Sequence, residues 1–147
     1  MLEITLSGRA PHGVTLPTIR RAFHETFRLA KKTERGSVSL AFISDAEMKK
    51  LNMRWRKKNK TTDVLSFAPA DVPTPSKEAH HWGDIFVSPT TVRSEALRRK
   101  IHPTEECLRV SVHGLLHLFG YDHATESDEL EMFSLQEQAI VRALPQL

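Results

Sequence analysis

The sequence predicts an α+β fold: a mixed four-stranded sheet with about five helices packed on it. Three observations carry this. Short alternating or β-branched segments gather in the first ninety residues. Amphipathic segments of helical period dominate the remainder. Proline, glycine, serine and threonine mark the boundaries between them. No internal repeat, linker or low-complexity tract divides the chain, so residues 1–147 are expected to form one domain around one core.

Leu2 to Ser7 alternates apolar and polar and is the first predicted strand. Residues 17–32 form an amphipathic helix, with Leu16, Ile19, Ala22, Phe23, Phe27 and Ala30 near one face. Pro17 suits its first turn and Gly36 breaks it. Val38 to Ile43 is the second strand. Ser44 or Asp45 caps a short helix running to about Met53. Val64 to Phe67 is the third strand, and residues 69–82, with three prolines, are a loop that borders a cleft. Asp84 to Ser88 is the fourth strand. Pro89 to Arg99, Pro103 to Phe119 and Asp128 to Leu144 are helices, the last capped by Thr125 or Ser127.

Composition sets bounds. The hydrophobic share of 39% and charged share of 27% are ordinary for a soluble domain. The single Cys107 excludes an intramolecular disulfide and suits a reducing cytoplasm; it sits in an apolar helical stretch as a small core residue. The first residues lack a basic stretch followed by a long apolar run, so no signal peptide is expected. No apolar run is long enough to span a membrane.

The net charge of +3 leans weakly toward an anionic partner, and its distribution says more. Arg54, Arg56, Lys57, Lys58 and Lys60 put five cations into seven residues. Phosphate-rich RNA would reward such a cluster through counterion release. Arg98, Arg99 and Lys100 are read instead as cations at a helix C-terminus, where they suit the macrodipole.

The most informative segment is His113-Gly-Leu-Leu-His-Leu-Phe-Gly-Tyr-Asp-His123, with histidines at H-x3-H-x5-H. His113 and His117 share one helix face. Gly120 lets the chain leave the helix and turn His123 back toward them. Three converging imidazoles with a fourth side open are the arrangement of a catalytic zinc site, although nickel, copper or iron would also accept them. The spacing matches that of metzincin peptidases, but the glutamate those enzymes carry after the first histidine is here Gly114.

The same segment resembles the signature of the YbeY family of bacterial metal-dependent endoribonucleases. Arg56-Lys-Lys-Asn-Lys-Thr-Thr-Asp-Val-Leu-Ser-Phe67 and Gly83-Asp84-Ile85 resemble two further family blocks, in the family's order. The resemblance implies that His113, His117 and His123 bind zinc, and that Arg56 is the functional arginine near the cleft, with His113 also counted as catalytic. It implies a single-strand-specific endoribonuclease that matures the 3′ end of 16S ribosomal RNA and serves ribosome quality control. RNA and the ribosome or its proteins are the implied partners. The stretch between Phe67 and Gly83 is richer in Pro and Ala, and less acidic, than the family leads one to expect.

Arg56 suits a transition-state stabiliser, because a guanidinium can hold two phosphoryl oxygens at once. Arg54, Lys57, Lys58 and Lys60 are candidate RNA contacts. Asp122 has three readings: proton acceptor, a partner that orients a metal-binding imidazole from behind, or turn cap. Asp84 could bind cleft water or end its strand. Phe119 and Tyr121 are expected in the core or at its rim; Trp55 and Trp82 flank the cleft segments, with packing the default. Two rivals stay open: another metallohydrolase, and a metal-stabilised, non-enzymatic RNA-binding or ribosome-associated protein.

Overall fold

The computed structural model describes residues 2–69 and 80–144. The elements in chain order are β1 (Leu2–Ser7), α1 (Leu16–Leu29), β2 (Gly36–Phe42), α2 (Asp45–Arg56), β3 (Val64–Phe67), β4 (His80–Val87), α3 (Pro89–Arg99), α4 (Pro103–Leu118) and α5 (Glu126–Ala143). The sheet runs β1-β2-β4-β3. β1 with β2 and β2 with β4 are parallel, and β3 lies antiparallel on β4. The α+β expectation, with four mixed strands and five helices, holds.

Alternation sets the layers. Val38 and Leu40 of β2 and Ile85 and Val87 of β4 are almost fully buried, while Ser37, Ser39 and Ala41, which alternate with the β2 pair, are only half-buried. The buried set joins Ile19 and Phe23 of α1 and Leu108, Val112 and Leu115 of α4 in one core. Each such side chain stabilises the fold by about 1.5–3 kcal/mol relative to exposure. Cys107 is in this core, and burial pushes its thiol up to about 12, so it is inert. No described helix is long and apolar enough to cross a membrane.

Several boundaries differ from expectation, α5 among them, which begins at Glu126 and not Asp128. α1 stops at Leu29, not Lys32, because Lys31 takes a left-handed conformation (φ 58°) and the Lys32 amide bonds back to Phe27. Gly36, expected to break that helix, instead opens β2. α2 continues past Met53 to Arg56, where Lys57 (φ 55°) ends it the same way.

The larger correction is β4, which begins at His80 rather than Asp84 and absorbs the end of the predicted loop. Ser37 pairs with His81 and Val38 with Gly83, so Trp82 is an extra residue, bulged from the ladder. The bulge breaks the period-two pattern that would have revealed the strand. It turns Trp82 inward against Phe119, with ring centroids 4.9 Å apart. The loop expected to border the cleft falls, for residues 70–79, outside the described residues.

Asp84 is consequently mid-strand, not at its end. It accepts hydrogen bonds from Ser39 Oγ (2.5 Å) and His81 Nε2 (3.1 Å), and it does not line the cleft.

Candidate metal centre

α4 is the central helix. Leu108, Val112, Leu115 and Leu116 bury it, and one stripe containing Arg109, His113 and His117 is left facing a cleft. Its end is set by Gly120 at φ 102°. The Gly120 amide bonds to the His117 carbonyl and the Tyr121 amide to the Leu116 carbonyl, the paired closure of a Schellman motif. That turn carries His123 back over the helix. Asp122 accepts the His123 backbone N–H at 2.7 Å. This contact is the one a turn cap makes, and Asp122 also lines the cleft; His113 and His117 have other partners at their Nδ1 atoms.

The three rings converge. His113 Nε2 lies 3.1 Å from His117 Nε2 and 3.3 Å from His123 Nε2. All three candidate ligand atoms lie within 4.8 Å of one another. Nitrogens bound tetrahedrally at 2.0–2.1 Å from one metal sit roughly 3.3 Å apart, so the donor set fits such an ion.

The far side of each helical ring supports this. His113 Nδ1 meets Gln136 Oε1 at 2.9 Å, and His117 Nδ1 meets the Tyr121 carbonyl at 3.0 Å. Gln136 donates through its nitrogen to Glu137, which orients the amide. Both partners are acceptors, so each Nδ1 carries the proton and each Nε2 presents its lone pair to the centre. Burial holds His113 below the ordinary imidazole value, and the neighbouring rings push it the same way. Burial also leads for His117, with the His123 and Arg56 charges acting in the same direction. Imidazoles kept neutral are ready for a metal.

Around the triad opens a cleft of about 1320 Å³. Arg56, Lys58 and Lys60 line it, whereas Arg54 and Lys57 do not; Arg54 lies over the exposed Trp55 ring, 5.3 Å from its centroid. The five-cation cluster is therefore split by the end of α2. Of the second cluster, Arg98 and Arg99 both pair with Glu95, one turn back, yet Arg99 also reaches the cleft.

Gly114 explains the missing glutamate. A Cβ there would lie 2.8 Å from Ser66 Oγ and 2.9 Å from Ile85 Cγ2. This position faces the sheet, not the cleft, and Ser66 Oγ donates to the Gly114 carbonyl at 3.0 Å. The metzincin arrangement has no room here.

The family model described as Endoribonuclease YbeY matches residues 12–144. The chain belongs to the YbeY family. It is 39% identical over 103 residues to the Endoribonuclease YbeY of Allorhizobium ampelinum, covering 70% of this chain and 62% of that protein. The chain thus spans less than two thirds of that relative's length. It is 36% identical over 110 residues to the Acholeplasma laidlawii member, covering 75% of this chain and 77% of that protein. The solution structure of TM1509 from Thermotoga maritima superposes with a TM-score of 0.64 at 28% identity, covering 95% of this chain and 88% of that one.

Sequence reading of this YbeY-family chain missed two groups that orient the site, Gln136 and the Tyr121 carbonyl. The second has no side-chain signal. The first had one: Gln136 stands in the buried register of α5, among Met132, Ala139, Ile140 and Ala143. A buried amide in an apolar stripe demands a partner.

Proposed function

We propose that this chain is a zinc-dependent endoribonuclease that cuts single-stranded RNA, with precursors of the small-subunit ribosomal RNA 3′ end as substrate. The observation that carries the reading is the meeting, in one cleft, of a three-imidazole centre with the cationic wall of Arg56, Lys58 and Lys60. Family membership supports the reaction class, and three neutral nitrogen donors suit zinc. Zinc, when bound, supplies Lewis-acid polarisation and a lowered water pKa.

The chain's own residues do the rest. Lys58 and Lys60 hold flanking phosphates as point charges. Arg56 forks onto two non-bridging oxygens of the scissile phosphate, where negative charge grows as the nucleophile adds. Gln136 and Tyr121 keep the rings from rotating as that charge develops. The ribosome, or proteins on it, would present the strand, and removal of defective ribosomes would use the same cut.

The test is cleavage of a 16S 3′-end precursor by zinc-loaded protein, beside identically purified His113→Ala and Arg56→Ala. Loss of cutting in both, with zinc retained in Arg56→Ala, is the expected result. Equal cutting by all three would trace the activity to a contaminant and overturn the reading. RNA binding without cutting under any metal would replace it with the non-enzymatic one.

A further inference from the structure

We propose that Phe133, flanked by Leu130 on α5, is a stacking platform for a nucleobase of single-stranded RNA beside the histidine triad. The inference rests on the endoribonuclease reading and names where the substrate's base goes. Both side chains line the cleft, yet Phe133 is 58% exposed and Leu130 63% exposed. Phe133 precedes Gln136 by three residues, so their Cβ atoms lie about 5–6 Å apart on one helix face. Gln136 in turn touches His113. The ring therefore sits about one helical turn from a residue that holds the centre.

The occupant follows from charge. The triad lies between two unlike walls. On one side, the end of α2 and the loop after it bring Arg56, Lys58 and Lys60 to the cleft, against a single acid there, Asp63. On the His113 side is α5, which brings Glu126 and Glu129 to the cleft along with Phe133 and Leu130, while its Glu137 is paired with Arg109. Phosphates are drawn to the first wall and repelled by the second. A strand so placed turns its bases toward α5, where the apolar partner is an aromatic face. Every base has a π-face, so the platform is tolerant of sequence. A duplex, whose bases are stacked and paired, has none to offer.

The experiment uses zinc-loaded protein and short single-stranded RNAs carrying 2-aminopurine, read by stopped-flow fluorescence before cleavage. Stacking on Phe133 should quench the probe on binding. Phe133→Ala and Phe133→Leu should lose the quench and bind about ten-fold or more weakly. Phe133→Trp should keep both. Zinc content and melting temperature should stay at wild-type values, because the ring is outside the core. Wild-type quench and affinity in Phe133→Ala would overturn the platform and leave the endoribonuclease reading standing. Wild-type protein that neither binds nor cuts any RNA would bring down that reading and the platform with it.

Discussion

Gln136 on α5 accepts the Nδ1 proton of His113 on α4 across 2.9 Å, tying the orientation of one imidazole to the packing of two helices. Gln136 is itself buried, so a broken bond to the ring would leave its amide oxygen short of a partner. Gln136→Leu should weaken metal binding about 10- to 100-fold, while Gln136→Glu, which keeps the acceptor, should retain most of it. Competition against a chromophoric chelator measures this. Wild-type affinity in Gln136→Leu would mean that packing alone holds the ring.

Gly114 permits the close approach of α4 to β3 and β4. Gly114→Ala gains helix propensity but drives a methyl into Ser66 and Ile85. Overpacking should win, with a net loss of about 1–3 kcal/mol. Urea unfolding followed by circular dichroism would register it. A more stable variant would show that the sheet yields at this point.

The split of the basic cluster makes the cations unequal. Lys58 and Lys60 line the cleft and Arg54 and Lys57 do not. Lys58→Ala and Lys60→Ala should each lower the salt slope of single-stranded RNA binding by roughly 0.7, the single-strand value per neutralised phosphate. Arg54→Ala and Lys57→Ala should leave it unchanged. Equal effects from all four, in filter binding across a salt series, would contradict this assignment.

Glu106 on α4 is 2% exposed, and its Oε2 has no hydrogen-bond partner among the described residues. Burial pushes its carboxyl above the ordinary value, with Arg99 and Arg109 pulling back. The unfolded chain releases this proton near the ordinary carboxylate range, and the folded chain holds it to higher pH. In that window the unfolded state binds fewer protons, so the contribution is present at low pH and is lost as pH rises through the folded value. Glu106→Gln removes the titration. Its stability relative to wild type should therefore grow between pH 4 and pH 8, in denaturant titrations at matched pH. A flat difference would show that the arginines fully offset the burial.

Local patterns made much of this chain legible. The helix that carries His113 and His117 could be read from its period and from Gly120, since both act within a few residues. Ser44 and Thr125 act as caps within the range of choices their sequences allowed. Less legible were features that depend on a distant partner. Trp82 interrupts its strand because a bulge is defined against β2. Asp84 is occupied by Ser39, 45 residues away. Lys31 and Lys57 end helices in a conformation usually marked by glycine, so no residue type announced the stop.

The sequence by itself determined the element types, the apolar faces and the three histidines at a spacing that a helix and a turn can close. These follow from steric and hydrophobic periodicities a few residues long. Only the tertiary structure decided that Gln136 orients His113, that Gly114 faces the sheet, which cations reach the cleft, and that Phe133 stands bare within it. Those depend on the packing of α4 between the sheet and α5, and distances across a packed interface are set by the whole core.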